Sequence, residues 1–128
     1  AAAVGLGNLE EFPDRLKRIH KIASTYRNEF ANVPGLHLLD YAHNRESAYW
    51  LFTVLVENRR DFIMKMNAAK IPVSVVHQRI DRFSVFRGLT NGLVNQEKFD
   101  RHQISIPIHS NLNKTDLAKI IFEIKKGW

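Results

Sequence analysis

The sequence contains no cysteine, and this absence removes several kinds of chemistry at once. No disulfide framework, thiolate metal site or cysteine nucleophile can be built from it. A chain without cysteine fits a reducing compartment, and we therefore predict a cytoplasmic location. Long apolar runs are missing too. The longest, Ala48–Val56, is about half of what a membrane-spanning helix needs, so we expect no membrane partner.

Acidic side chains are scarce relative to basic ones. The chain has 13 Asp and Glu residues against 19 Lys and Arg residues, which gives a net charge of +6 and a pI of about 9.8. This balance favours an anionic partner, although a basic surface that is simply solvated would give the same composition. No ribonucleoprotein motif, GxxG clamp or helix-turn-helix pattern is present, so we expect no nucleic-acid partner.

Length and composition predict one globular domain over residues 1–128. Hydrophobic residues make up 45 % and charged residues 25 % of the 128 positions, which is enough to bury a core. The chain has no initiating Met and opens on a helix-like stretch, so we expect that it was cut from a longer polypeptide.

Helical periodicity dominates residues 1–30. Seven apolar residues recur every three or four positions, at Leu9, Phe12, Leu16, Ile19, Ala23, Tyr26 and Phe30. Pro13 predicts a kink or a fresh helix start, and the helix should end before Pro34 and Gly35. Shorter helices are expected after Asn58, over residues 96–102, and after a cap at Asn113 or Thr115. The apolar face of the last helix is predicted at Leu117, Ile120, Ile121 and Ile124.

Four stretches predict strands: Leu36–Leu39, Ala48–Val56, Ile71–Val76 and Ile104–Ile108, of which the last three are rich in β-branched or aromatic residues. Ala48–Val56 shows no polar alternation, so we expect both of its faces to be buried. Few strands with helices between them indicate an α/β fold, specifically an α+β two-layer sandwich. The sheet should be small and partly antiparallel, with three to four strands, and a long helix should precede it.

Most catalytic signatures are missing. Six histidines show no zinc-type pairing on a helix, so no metal site is expected. No P-loop occurs, and Gly5-Leu6-Gly7 lacks both a preceding strand and a third glycine. No serine lies in a nucleophile elbow. Asp81 and Asp100 could act as acids or bases, but no apolar pocket for them is visible, and no catalytic residue is predicted.

One polar segment stands out, residues 77–87, which follows a predicted strand. It holds a histidine, three arginines and the aromatic rings of Phe83 and Phe86. Arginine forks suit phosphate, and aromatic rings suit a flat base or a sugar face. The alternative is a solvated loop whose two phenylalanines plug into the core.

Taken in order, several stretches resemble the small domain of DegT/StrS-type nucleotide-sugar aminotransferases. These are pyridoxal-phosphate enzymes of the aspartate-aminotransferase fold. The similar stretches are Ala1–Glu10 with Arg15–Tyr26, Ser47–Phe52, Lys70–Ser74, Ile104–His109 and Leu112–Ile124. The resemblance covers essentially the whole chain.

The resemblance implies that this chain is a C-terminal small domain. The lysine that binds pyridoxal phosphate, and the cup for its phosphate, would lie upstream in a large domain that is missing here. The isolated chain should therefore hold no cofactor and be catalytically silent. The intact enzyme should be a homodimer that uses pyridoxal 5'-phosphate to move an amino group, from glutamate by family analogy, to a nucleotide-linked keto-sugar.

The resemblance also places substrate contacts in the segment that begins at His77. By position, His77, Arg79 and Arg82 would meet pyrophosphate or sugar hydroxyls, while Ser84 and Phe86 would line the sugar. Asp81 is included in this predicted substrate-binding set. The alternative function is a stand-alone binding module for an anionic nucleotide or sugar-phosphate ligand.

Overall fold

The computed structural model describes residues 2–40, 42–86, 88 and 91–128. Within these residues, four α-helices and three β-strands follow one another along the chain. They are α1 (Ala2–Phe30), β1 (Leu36–Leu38), β2 (Phe52–Val56), α2 (Arg59–Ala68), α3 (Val94–His102), β3 (Gln103–Ile106) and α4 (Lys114–Lys125). None of the helices in the described ranges is long and apolar enough to cross a membrane.

The first helix is continuous. Pro13 lies inside it, so the predicted fresh start at that position is wrong. The reason is geometric, because a proline ring removes one hydrogen bond of a helix but need not end it. Every described residue from Ala2 to Arg15 is exposed, whereas Ile22, Ala23, Tyr26 and Phe30 are buried. Only the second half of α1 therefore belongs to the core.

The three strands form one sheet in the order β1-β2-β3, with both pairs antiparallel. In the central pair, Phe52 lies opposite Ile106 and Val54 opposite Ile104. These apolar residues point to one face of the sheet, since residues two apart in a strand share a face. The predicted two-layer fold with a small antiparallel sheet is confirmed.

The predicted strand at Ile71–Val76 is wrong. Only Ser74 pairs with the sheet, through an isolated antiparallel bridge to Ser105 of β3. Its backbone N–H and carbonyl exchange hydrogen bonds with Ser105 at 3.1 and 2.8 Å. Pro72 has no N–H to give, which limits the length of ladder this segment can form.

The predicted strand at Ala48–Val56 is too long, and its two faces are not buried alike. Pairing begins only at Phe52, and Trp50 is 79 % exposed. Along β2 the burial alternates, with Phe52, Val54 and Val56 buried and the residues between them half-buried. The aromatic side chains ahead of the strand made the apolar run look longer than the ladder is.

A single cluster of side chains forms the core between the apolar face of the sheet and the helices. Tyr26 of α1 packs 5.1 Å from the Phe52 ring, and Phe62 and Met66 come from α2. Ile120 and Ile124 of α4 join them, as the spacing of that helix predicted. Burial of this apolar surface is the main favourable contribution to folding.

The other face of β2 and β3 is more polar, and a hydrogen bond from Gln103 of β3 to the His77 carbonyl connects it to the 77–87 segment. The hydroxyls of Thr53 and Ser105 are 3.1 Å apart, and α3 contacts β2. Gln103, the first residue of β3, is fully buried. The end of α3 and the start of β3 therefore form a buried polar junction beside the candidate site.

Candidate functional site

The 77–87 segment follows the Ser74 bridge and forms two short 3-10 turns, Ile80–Arg82 and Ser84–Phe86. Arg87 lies outside the described residues. The Phe83 and Phe86 side chains are 52 and 53 % exposed, so the alternative in which they plug into the core is wrong. The turns instead hold a rigid polar face against α3.

Arg79 is the most deeply buried charged residue of this segment. Its Nε donates to Asp81 Oδ1 at 2.9 Å, and its Nη2 donates to Oδ2 of the same carboxylate. The Glu97 carboxylate lies 3.8 Å from Nη1. The hydrogen bond to Asp81 raises the pKa of Arg79 above its ordinary value. A buried guanidinium needs paired partners of this kind, so the role of Asp81 in this structure is to pair with Arg79.

Arg82 is held differently, because half of its side chain remains in solvent. Its Nη2 donates to Oδ2 of Asp100, a buried carboxylate of α3. The pair fixes the second half of the 3-10 turn onto α3. About half of the Arg82 side chain is exposed, so a ligand can reach its positive charge.

Arg59 ties the start of α2 to the end of α3. Its Nη1 donates to the backbone carbonyls of Asp100 and Gln103, the latter at 3.1 Å. The Gln103 side chain continues the connection, because its Nε2 donates to the carbonyl of His77. The first residue of the candidate segment is thereby fastened through its backbone to the buried junction.

These side chains line a cleft of about 280 Å³ that we call the arginine cleft. Its lining residues are Arg59, Arg79, Arg82, Asn91, Glu97, Asp100 and Arg101. Four guanidinium groups meet two carboxylates in the lining, and a third carboxylate, Asp81, is paired with Arg79. The cleft can accept an anion, but much of its positive charge is already neutralised.

The structure brings together only part of the predicted substrate-binding set. Arg79 and Arg82 line the arginine cleft, and Asp81 contacts Arg79. His77, Ser84 and Phe86 are exposed and are not among the residues that line it. Their predicted contacts with a sugar therefore remain predictions.

Sequence reasoning missed the half of the cleft that comes from α2 and α3. Arg59, Arg101 and Glu97 lie far from the 77–87 segment in the chain, and a single sequence gives no sign that they approach it. Asp100 was recognised as a possible acid or base. The structure gives it another role, as the partner of Arg82.

The lysines do not fit a covalent bond to pyridoxal phosphate. A Schiff-base lysine must lie in a desolvated pocket. Eight of the nine lysines are exposed. The ninth, Lys65, is half-buried, and its ammonium donates to the Gly127 carbonyl at 2.7 Å and lies 3.7 Å from Glu123. Among the residues that the structure describes, no group of three or more His, Asp or Glu side chains could hold a metal ion.

Comparison with known proteins assigns the family. The model of the DegT/DnrJ/EryC1/StrS aminotransferase family matches residues 1–125. The chain therefore belongs to the DegT/DnrJ/EryC1/StrS aminotransferase family, which confirms the resemblance found in the sequence.

Individual relatives agree with this assignment. A UDP-4-amino-4,6-dideoxy-N-acetyl-beta-L-altrosamine transaminase of Campylobacter jejuni is 25 % identical over 142 aligned positions that include all of this chain. The crystal structure of AtS13 from Actinomadura melliaura is 32 % identical over 99 % of the chain, with a TM-score of 0.94. The sugar aminotransferase CalS13 from Micromonospora echinospora is 30 % identical over 98 %, with a TM-score of 0.93.

The chain is much shorter than these relatives. It spans 38 % of the Campylobacter transaminase and 34 % of the AtS13 and CalS13 chains.

Proposed function

We propose that this chain is the C-terminal small domain of a nucleotide-sugar aminotransferase. The intact enzyme transfers an amino group from an amino acid, glutamate by family analogy, to a keto group of a nucleotide-linked sugar. The observation that carries this proposal is the family match across residues 1–125, on a chain that spans about a third of its relatives. In this proposal the enzyme is a cytoplasmic homodimer.

Pyridoxal 5'-phosphate, the cofactor of the intact enzyme in this proposal, supplies an electron sink for the transfer when it is bound. In this proposal the lysine that holds the cofactor belongs to a large domain outside these residues, and the exposed or already bonded lysines of this chain support that placement. The chain alone is therefore catalytically silent.

In this proposal the small domain contributes substrate contacts from one rigid surface. Arg82 offers its exposed guanidinium to the diphosphate, and Arg79 keeps the turn in place through Asp81. His77, Ser84 and Phe86 lie in solvent on the same segment, where a sugar held by the large domain can reach them. The exposed apolar half of α1 is the surface that the large domain covers.

Silence of the isolated chain is tested by incubation with pyridoxal phosphate, reduction with borohydride and peptide mass spectrometry. We expect scattered labelling of surface lysines, without one preferred site. One lysine labelled to full occupancy, and a new absorption band that disappears when that lysine is changed to alanine, would overturn the proposed silence.

Calorimetric titration with UDP-N-acetylglucosamine separates the domain proposal from the stand-alone binding module. A domain that needs its large partner should show no binding of this probe that depends on Arg82. The arginine cleft favours the module as the second candidate. Micromolar binding that is lost in Arg82→Ala and kept in Arg18→Ala, an exposed arginine of α1, would support the module instead.

A further inference from the structure

A second cleft carries positive charge that no carboxylate in its lining balances. It encloses about 590 Å³ between the start of α2 and the end of α3, and we call it the basic cleft. Its lining residues are Asn58, Arg59, Arg60, Ile63, Met64, Arg101 and His102. Three arginines and a histidine line it, and no acidic side chain is among the lining residues.

Several N–H donors of the guanidinium groups in this cleft make no hydrogen bond within the described residues. Arg60 and Arg101 are exposed, and in the described ranges neither forms a salt bridge or a side-chain hydrogen bond. Asp61 follows Arg60 in the chain but does not line the cleft. Arg59 is fixed through Nη1 alone, so its Nε and Nη2 make no further hydrogen bond within the described residues.

The basic cleft differs from the neighbouring arginine cleft in having no acidic residue in its lining. Arg59 and Arg101 line both clefts, but Glu97 and Asp100 line only the arginine cleft. Like charges held together without counter-charge repel one another, and a bound anion relieves that repulsion. Arginine forks pair with the oxygens of phosphate groups in bidentate fashion, which a single lysine cannot do.

Rigid support and an apolar wall complete the site. The hydrogen bonds from Arg59 to the carbonyls of Asp100 and Gln103 join the start of α2 to the end of α3, so the arginines of the cleft come from two connected helices. Ile63 is half-buried and Met64 is 60 % exposed along the same wall. Phosphate oxygens can therefore meet the arginines while a less polar part of the ligand lies against Ile63 and Met64.

We propose that the basic cleft is a binding site for a phosphate-bearing small molecule, with Arg60 and Arg101 as its principal contacts and Arg59 as the fixed member between them. This site lies outside the 77–87 segment and does not depend on amino transfer. Its ligand class is a phosphate or pyrophosphate ester.

The test is calorimetric titration of the 128-residue chain with inorganic pyrophosphate at low ionic strength. We expect saturable binding, weakened about tenfold or more in Arg60→Gln/Arg101→Gln because charge-assisted hydrogen bonds are lost. The matched control is Lys17→Gln/Arg18→Gln, which removes the same charge from exposed positions on α1 and should change the affinity much less. Far-UV circular dichroism and the melting temperature check that each variant is folded.

Two results would overturn the site: no saturable binding by the unaltered chain, or equal weakening in the control variant. UDP in place of pyrophosphate identifies the ligand further. Tighter binding of UDP assigns a nucleotide, and equal binding assigns the phosphate groups alone; both support the site. The Arg82→Ala variant, used above for the proposed function, should bind pyrophosphate normally, so the two proposals fail separately.

Discussion

At the scale of single residues, Tyr26 shows how one side chain can join distant parts of the fold. Its ring is buried, stacks on Phe30 at 5.3 Å and packs against Phe52 at 5.1 Å. Its hydroxyl donates to the carbonyl of Pro107, just beyond β3, at 2.9 Å. Burial raises the pKa of Tyr26 above its ordinary value, because the phenolate would be desolvated.

Tyr26→Phe should remove this hydrogen bond while keeping the ring contacts. We expect the free energy of unfolding to fall by about 1 kcal/mol, because the Pro107 carbonyl loses its donor. Urea unfolding at pH 7 measures the difference. Tyr26→Ala is the comparison, and a loss of about 3–5 kcal/mol is expected when the whole ring is removed from the core. Equal losses in the two variants would contradict the assignment to the hydroxyl.

The unaltered protein and Tyr26→Phe should also differ in how their stability depends on pH. The unfolded chain ionises Tyr26 near pH 10, whereas the folded chain keeps the neutral phenol because its pKa is raised. This contribution to stability is complete below about pH 10 and is lost as the pH rises through the folded pKa. Unfolding between pH 8 and 11 should therefore show unaltered protein losing stability faster than Tyr26→Phe. Parallel curves would be evidence against this explanation.

At the scale of elements, α4 is the helix whose start the sequence signals best. The Asn113 side-chain oxygen accepts a hydrogen bond from the Asp116 backbone N–H at 2.8 Å, which confirms Asn113 as the cap. Asn113→Ala should destabilise the protein by about 1 kcal/mol. Asn113→Ser should cost less, because its hydroxyl oxygen can still accept from the Asp116 N–H and it places no second carboxylate beside the Asp116 side chain. Thermal unfolding of both variants checks this, and equal behaviour would contradict it.

The start of α2 is a contrasting case. Asn58 does occupy the cap position, as the sequence predicts, but its side chain makes no capping hydrogen bond. Its backbone adopts the left-handed conformation with φ 48°, which asparagine tolerates better than most residues. The residue type therefore suits the turn into α2, and the pattern predicted the right position for a different physical reason.

The elements that the sequence predicts best are those with local, periodic signals. The part of α1 from Leu9 to Phe30 and the buried face of α4 follow from apolar spacing. The strand error at Ile71–Val76 has a different origin, because β-branched residues signal an extended chain but not a partner for it. Whether Ser74 extends into a ladder depends on β3, which is distant in sequence.

The candidate site could be predicted only in part, because charge pairing is a property of the folded chain. The 77–87 segment was found from its composition, and two of its arginines do line a cleft. That Asp81 and Asp100 neutralise those arginines requires the position of α3. The basic cleft is invisible in the sequence for the same reason, since Arg60 and Arg101 line one cleft only because the fold brings the start of α2 near the end of α3.

At the scale of the whole molecule, the first half of α1 leaves several large apolar side chains exposed, and clusters of exposed apolar side chains mark interaction surfaces. Val4, Leu6, Leu9 and Phe12 of α1 are 49–69 % exposed. In the isolated chain, where our proposed large domain is not available, a second copy is the partner at hand. Self-association through this helix is therefore expected.

Leu9→Gln/Phe12→Gln should weaken that self-association, because it removes two exposed apolar side chains from one stripe of α1. Sedimentation equilibrium over a range of concentrations measures the effect. Val85→Gln/Phe122→Gln replaces two apolar residues elsewhere that are at least as exposed, and it should associate like the unaltered chain. A chain that is monomeric at all concentrations would remove the basis of this prediction.

The proline inside α1 should affect how fast amide hydrogens exchange with solvent along that helix. Pro13 gives no N–H to the carbonyl of Leu9, and the turns before it pack against nothing in the described chain. Amide deuteration followed by mass spectrometry should label peptides from the first dozen residues within seconds. The turns that contain Ala23 and Tyr26 should take up deuterium orders of magnitude more slowly, since they open only with the core. One unbroken helix would thus show two rates of amide exchange, a fast rate in its exposed first half and a slow rate in its buried second half.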